Sequence, residues 1–500
     1  MAGKVTLVGA GPGDPGLMTL KGREALAGAQ VVVYDRLISP SILALIPEGA
    51  ERIDVGKHAG CHPVPQEEIS HILLERGLAG KNVVRLKGGD PFLFGRGGEE
   101  LELLARHGVA FEVVPGVTSA IAAPAYGGIP VTHRDFCSSL HIITGHRRAG
   151  QPLDMDFDAL CRTGGTLVFL MGVSALGEIC AGLRAAGMDP STPAAVVERG
   201  TTPRQRRISS DLAHLPERAA EEKLESPAVI IVGGVCALAE ELDWFDALPL
   251  KAVPIVVTRP KDRSGALSSR LRALGADVRE IPCIETVDRD DLEPLRAALG
   301  ACSYDWAVFT SPAGVHAAGR ALKKLGRDLR ALYGMKLAAI GPGTAAALDG
   351  YGLTADLVPE VYDGAHLARA LLEALLPGGA ALLLRARQGG RELPETLKAA
   401  GIIVADVPLY DTVYRCDGGE ELRELLEREK RVWVTFTSAS TVRGFAAAAG
   451  EGADLSRVVG LCIGAQTAAE AGRYGIPVQV AREAAIDSLV ELACTAAGKG

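Results

Sequence analysis

VTLVGAGPGDPGLMTLKG, residues 5–22, begins as a short apolar strand and breaks into glycine and proline. A strand of this kind, ending on Gly-Ala-Gly, delivers the chain to a turn at a sheet edge, where α/β proteins hold ligands. A dinucleotide loop needs G-x-G-x-x-G with a helix starting at once. Here Asp14 stands at the third glycine position, and Pro12 and Pro15 delay helix entry until about Thr19. Thr19 reads as the N-cap of a helix beginning LKGREAL. Dinucleotide binding is therefore not expected.

Outward from this turn, short apolar runs alternate with helical segments. Strands are expected at Val5–Val8, Val31–Tyr34, Val83–Leu86, Leu167–Met171, Val229–Val232, Ile255–Thr258, Ala307–Thr310, Leu337–Ile340, Leu382–Arg385, Val432–Phe436 and Gly460–Ile463. Helices fall between them, as at Glu67–Arg76, Glu99–His107, Leu267–Leu274, Leu367–Leu375 and Glu420–Glu429. The alternation implies an α/β protein with mostly parallel sheets. LDWFDALPLKAVP (242–254) has two prolines and no helical period, which puts a domain junction near Leu248. The C-terminal half repeats itself. VFTSPAGV (308–315) and LAAIGPGTAAAL (337–348) are answered by TFTSASTV (435–442) and LCIGAQTAAEA (461–471). Two homologous α/β lobes with a ligand cleft between them are the simplest reading.

The chain has 500 residues, so several domains are expected. Aromatics are only 4% and the formal net charge is −8, both against a nucleic-acid binder. The 10 cysteines include no C-x-x-C pair, as in reduced, cytoplasmic proteins. Neither a signal peptide nor a membrane-spanning run is visible in the sequence. His58, Cys61 and His62 form H-x-x-C-H without a suitably spaced further ligand, so no metal is expected.

GAGPGDPGLMTLKG (9–22), VVVYDRLIS (31–39), VGKHAGCHPVPQEEI (55–69), RLKGGDPFLFGRGGEE (85–100), EVVPGVTSAIAAPAYGGIPVTHRD (112–135) and TGH (144–146) resemble the successive blocks of the uroporphyrinogen-III C-methyltransferases. The resemblance runs from Lys4 to about Leu248 and implies a two-lobed tetrapyrrole methylase fold over 1–248. It also implies S-adenosylmethionine in the cleft and a homodimer formed through this half. By the same resemblance Pro12, Gly88, Gly89, Asp90, Leu93, Thr118, Ser119, Met171 and Gly200 hold that cofactor. Gly88 and Gly89 let backbone approach it closely, and Asp90 offers an acceptor. Asp35, at a strand end, is the candidate base, with a salt bridge to Arg36 or Lys57 as its structural alternative. Lys57 is implied as an acid partner. A polycarboxylate substrate calls for basic groups, and Arg85, Arg96, Arg134, His146, Arg147 and the Arg204–Arg207 run could supply them.

IVVTRP (255–260), YDWAVFTSPAGV (304–315), AAIGPGTAAAL (338–348), LVPEVY (357–362), VPLYDTV (407–413) and FTSASTV (436–442) resemble uroporphyrinogen-III synthase. This implies a two-lobed synthase over 249–500, one lobe from 252–287 plus 412–496 and an inserted lobe at 288–411. After TRP the chain reads KDRSGALSSRL (261–271), a departure from the glutamine-containing pattern of that family. Tyr410 matches the tyrosine proposed there to assist loss of a hydroxyl. Ser311, Thr344, Ser438 and Thr467 sit at helix starts that could bind carboxylates, or are simply caps. Arg259, Arg385 and Arg387 are further candidates for substrate carboxylates. The two resemblances together imply cyclisation of hydroxymethylbilane to uroporphyrinogen III and its methylation to precorrin-2. Two rivals stay open: a methylase of a later precorrin, and a C-terminal half that binds without catalysis.

Overall fold

The computed structural model describes residues 3–56, 64–145, 153, 155–301 and 303–497, without the side chains of 261–264. Two compact units divide the chain, Met1–Ala252 and Val253–Gly500. The division falls four residues beyond the expected Leu248 because Lys251 is tied backward. Its Nζ donates to Gln205 O at 2.9 Å and Asp246 at 2.6 Å, and lies 4.8 Å from the Phe245 ring centroid.

The first unit holds two five-stranded sheets. The first contains β1 (Lys4–Gly9), β2 (Val31–Tyr34), β3 (Glu51–Asp54), β4 (Asn82–Lys87) and β5 (Ala110–Val114), all parallel, in the order β3-β2-β4-β1-β5. Alternate residues bury on opposite faces. Val5, Leu7, Val31 and Val33 pack under the helices Gln66–Leu78 and Gly97–Arg106, while Val8, Val32 and Leu86 meet Leu26, Ile42 and Ile46. Burial on both faces is why these strands read as continuous apolar runs.

The second sheet holds β6 (Leu140–Thr144), β7 (Thr166–Leu170), β8 (Pro193–Glu198), β9 (Arg206–Asp211) and β10 (Ala228–Val232), in the order β6-β7-β10-β8-β9. Here the expectation of mostly parallel pairing fails. Only β6 and β7 run parallel; β10 is antiparallel to both neighbours and β9 to β8. Residues 199–205, which join β8 to β9, are too few for the crossover that parallel strands need.

The second unit also holds two sheets. One has β11 (Pro254–Val257), β12 (Asp277–Glu280), β18 (Val432–Phe436), β19 (Val458–Cys462) and β20 (Val478–Val480), all parallel, ordered β12-β11-β18-β19-β20. The other has β13 (Ile284–Asp288), β14 (Trp306–Phe309), β15 (Lys336–Ala339), β16 (Ala380–Ala386) and β17 (Ile403–Tyr414), ordered β13-β17-β16-β14-β15. The insertion is thus slightly longer than 288–411. The antiparallel ladder of β13 with β17, from Ile284↔Tyr414 to Asp288↔Tyr410, draws 284–287 and 412–414 into the inserted sheet. Among the described residues, no helix is long and apolar enough to cross a membrane.

Candidate functional site

Glycine positions build the site in the first unit. Gly11 and Gly89 exchange backbone hydrogen bonds of 3.2 and 2.8 Å, joining the turns that follow β1 and β4. Gly89 sits at φ +67°, the left-handed region that glycine adopts without strain. A Cβ on Gly116 would lie 2.2 Å from the Gly89 carbonyl oxygen and 2.7 Å from Gly9. Three turns at the C-terminal sheet edge therefore meet backbone to backbone. Thr118 caps the helix Ser119–Tyr126, accepting from Ala120 N at 3.2 Å, and lies against Gly89.

Asp90 fixes this rim. Its Oδ1 accepts from the N–H of Phe92 and Leu93 at 2.8 and 3.1 Å, and its Oδ2 from Gly116 N at 3.1 Å. Both carboxylate oxygens are engaged by the loop itself, a role the cofactor expectation did not include. Leu93 packs against the core of the second sheet. Pro12 is half-buried in the loop whose neighbour Gly13 abuts Thr201 and Thr202. Gly200 is packed so closely that a Cβ would reach Ala123 Cβ at 2.4 Å. Met171 follows β7 directly, half exposed at φ 56°, an uncommon conformation for a side chain of its size.

Asp35 opens the turn after β2. Its Oδ1 accepts from Leu37 N at 3.1 Å, and its Oδ2 faces Arg85 Nη2 at 3.4 Å. Among the described residues, the ion partner that Asp35 shows is the strand residue Arg85. Leu37 abuts Gly88, so the Asp35 turn adjoins the glycine rim. Lys57, with His58, Cys61 and His62, lies outside the described residues, as do His146 and Arg147. Among the described residues no group of three or more metal-ligating side chains occurs.

Several basic candidates have structural partners. Arg85 is buried at 3% exposure, contrary to its reading as a substrate contact. Arg96 is exposed and pairs with Glu99 at 2.6 Å. In the arginine run, Arg206 pairs with Glu198, and Arg207 donates to the carbonyls of Gly127 and Ala239 at 2.8 Å each. The sequence reading missed Lys87, Glu100 and Gln66, which surround Arg85. The available signal was R-L-K in β4, since alternate strand residues share a face.

In the second unit, equivalent turns follow β14 and β18. Ser311 caps Pro312–Lys324, accepting from Gly314 N at 3.0 Å, and Ser438 caps Ala439–Ala449 within a capping box. Thr344 and Thr467 open the helices after β15 and β19 and are buried. Tyr410 is 5% exposed and packs in the core of the inserted lobe, its hydroxyl 2.8 Å from Ser311 Oγ. Arg385 is likewise buried, with a two-pronged pair to Asp406 at 2.7 Å and a bond to Gly390 O. Arg387 pairs with Asp411 at 2.7 Å. Arg259 follows β11, half-buried.

Known proteins resemble both units. The tetrapyrrole (corrin/porphyrin) methylases match residues 4–216, and uroporphyrinogen-III synthase HemD matches 265–491. The porphyrin biosynthesis protein HemD of Ruminiclostridium josui is 47% identical over 490 residues, covering 98% of this chain and 97% of that one. The siroheme synthase of Edwardsiella ictaluri is 54% identical over 243 residues, which are 49% of this chain and 52% of that protein. This chain thus spans about half the length of that synthase. A solved uroporphyrin-III C-methyl transferase of Thermus thermophilus, complexed with S-adenyl homocysteine, is 43% identical, covering 47% of this chain and 93% of that chain at a TM-score of 0.41. Matched over 98% of its length at 47% identity by the Ruminiclostridium josui protein, the chain belongs to the porphyrin biosynthesis HemD family, a tetrapyrrole methylase fused to a HemD-like uroporphyrinogen-III synthase.

Proposed function

We propose that the second unit cyclises hydroxymethylbilane to uroporphyrinogen III with inversion of ring D. The first unit then methylates that product at C2 and C7 with S-adenosylmethionine, giving precorrin-2. The observation that carries the methylation is the glycine rim beside Asp35, where Gly9, Gly89 and Gly116 bring three turns into backbone contact at the sheet edge and leave backbone for a flat, polar cofactor to approach. The residues fit that group: Gly88, Gly89, Thr118 and Ser119 offer close backbone, and Pro12, Leu93, Met171 and Gly200 wall it. Bound there, S-adenosylmethionine supplies a methyl carbon activated by a sulfonium.

The protein places the pyrrole carbon in line with that methyl and takes up the proton that the macrocycle loses. Asp35 is the base, and Lys57 its acid partner. Asp90 acts on the rim rather than on the reacting atoms. Arg96, on the exposed start of its helix, meets substrate carboxylates. In the synthase unit, Ser311, Ser438, Thr344 and Thr467 mark the helix N-termini that receive bilane carboxylates. Arg259 assists them, and Arg385 orders the adjoining loop through Gly390. Ser311 Oγ accepts from Gly314 N and meets the Tyr410 hydroxyl, so the serine proton can point to the departing oxygen. A homodimer through the methylase unit completes the reading.

The test supplies hydroxymethylbilane to the purified full chain under anaerobic conditions, with and without S-adenosylmethionine. Mass and isomer analysis should find uroporphyrinogen III without the cofactor and a product heavier by two methyls with it. Only the non-inverted isomer would make the second unit a binding module. Unchanged uroporphyrinogen III with the cofactor present would move the first unit to a later precorrin.

A further inference from the structure

Beneath Asp35 lies a set of buried charges that the methylation reading does not use. Arg85 and Lys87 share one face of β4 at 3% and 5% exposure, and Glu100, fully buried, reaches them from the helix Gly97–Arg106. Glu100 Oε1 accepts from Lys87 Nζ at 2.7 Å, Gln66 Nε2 at 2.9 Å and Arg85 Nε at 3.3 Å. Arg85 Nη1 donates to the carbonyls of Leu86 and Val33 at 3.1 and 3.4 Å, and its Nη2 faces Asp35. Glu100 Oε2 is buried and has no hydrogen-bond partner among the described residues.

Burying charges in this way is a poor route to stability, since well-packed apolar residues would serve as well or better. The arithmetic of charge points elsewhere. Two buried cations share one buried carboxylate, so the set is neutral only when a second carboxylate is ionised. That carboxylate is Asp35, whose side chain is 27% exposed at the edge of the set. Burial first, and then the Arg85 charge, push the Lys87 ammonium below its usual range, as befits a cation with too little opposing charge. Other charged or titratable groups on the neighbouring elements, among the described residues, include Arg36 beside Asp35 in the turn after β2, Tyr34 ending β2, Arg52 and Asp54 on β3, and Arg96 and Glu99 at the helix start.

We infer that Arg85, Lys87 and Glu100 form a buried charge balance that positions Asp35 and holds it ionised, returning it to the base form after each proton it accepts. The inference rests on the reading of Asp35 as the methylation base. Each methyl transfer forms a carbon–carbon bond, breaks the carbon–sulfur bond with its electrons going to sulfur, and frees one proton from the macrocycle. Two transfers per substrate therefore require a base that resets. Protonation of Asp35 leaves the buried Arg85–Lys87–Glu100 set with an uncompensated positive charge, and the proton passes to solvent through the exposed edge of the carboxylate.

The experiment reads kcat against pH for the full chain with uroporphyrinogen III and S-adenosylmethionine, with thermal unfolding as the check on folding. Arg85→Gln removes the cation facing Asp35 and should move the acid limb up by about one pH unit or more. Arg85→Lys should restore most of that shift. Glu100→Gln leaves two cations to Asp35 alone and should move the limb down. If Glu100→Gln does not fold, Gln66→Glu at the edge of the set provides the opposite sign, an upward shift. A merely structural role lowers the melting temperature but leaves the limb in place, or moves it the same way in Arg85→Gln and Glu100→Gln; either outcome overturns the inference. Asp35→Asn separates the two levels. An Asp35→Asn chain with full activity defeats the base reading itself, whereas an inactive one beside unmoved limbs defeats only the charge balance.

Discussion

Asp90 and Tyr410 are the two residues whose chemistry changes most once their surroundings are known. A carboxylate after Gly88-Gly89 reads as an acceptor for a ligand, yet three backbone N–H groups already occupy it. Carboxylates that accept such bonds build loops as effectively as they bind ligands. Tyr410 reads as a phenol facing a cleft, and it lies in the core with its hydroxyl on Ser311. Residue type and local motif do not reveal the whole of either fact, because Gly116, which engages the second oxygen of Asp90, is 26 positions away and Ser311 is 99 positions from Tyr410. Tyr410→Phe tests the assignment. The lost hydrogen bond should lower stability by about 1 kcal/mol, a net figure for one neutral pair. Cyclisation of hydroxymethylbilane should slow by roughly tenfold or more if Ser311 loses its orienting partner. A lowered melting temperature with an unaltered cyclisation rate would return Tyr410 to packing alone.

At the scale of elements, most interior strands were legible and, β15 apart, edge strands were not. β1, β2, β4, β7, β10, β11, β14, β16, β18 and β19 are interior and apolar, and each coincides with an expected strand. β3 (ERID), β9 (RRISSD), β12 (DVRE) and β20 (VQV) lie at sheet edges. An edge strand packs less of its surface, so its side chains are freer to be polar and the apolar run that marks a strand disappears. β8 and β17 were missed for other reasons: β8 (PAAVVE) opens on proline and two alanines, and β17 mixes buried, half-buried and exposed positions. The caps Thr19, Ser311 and Ser438 were readable, each accepting from a backbone N–H three residues on, whereas Thr344 and Thr467 lie inside their helices, whose caps are Gly341 and Gly464. The glycine rim is an element-scale device, and Gly116→Ala tests it. Its new Cβ falls on the Gly89 carbonyl, so the strand ends must separate and S-adenosylmethionine should bind at least tenfold more weakly by calorimetry. Overpacking of this kind should also destabilise by about 1–3 kcal/mol. Gly98→Ala is the control: open space surrounds that exposed helical position, so affinity should not change and stability should rise slightly.

Across the molecule, two units of similar length carry four sheets, and the described thiols are free. Burial pushes Cys180 up to about 11, and Cys236, Cys283 and Cys462 up to about 12. Their folded values lie above the unfolded thiol value of about 8.5. The native chain therefore keeps protons that the unfolded chain releases. This contribution to stability is complete below about pH 8.5 and is lost as pH rises toward 11–12. Alkylation at pH 8 should label exposed Cys416 and spare these four until denaturant is added, and urea midpoints should fall between pH 8 and pH 10.5. Rapid labelling of the buried four in the native chain would contradict that burial. By itself the sequence determined the family-level chemistry, most of the interior strands, the caps Thr19, Ser311 and Ser438, and the repeated turns of the second unit. All of these rest on residues close together in the chain, where propensity, capping and motif act. Only the tertiary structure decided the antiparallel return of β10, the extent of the inserted lobe, and the set in which Arg85 meets Glu100 at a separation of 15 residues and Asp35 at 50. Those depend on which distant segments come together and exclude water, and local composition does not encode that pairing.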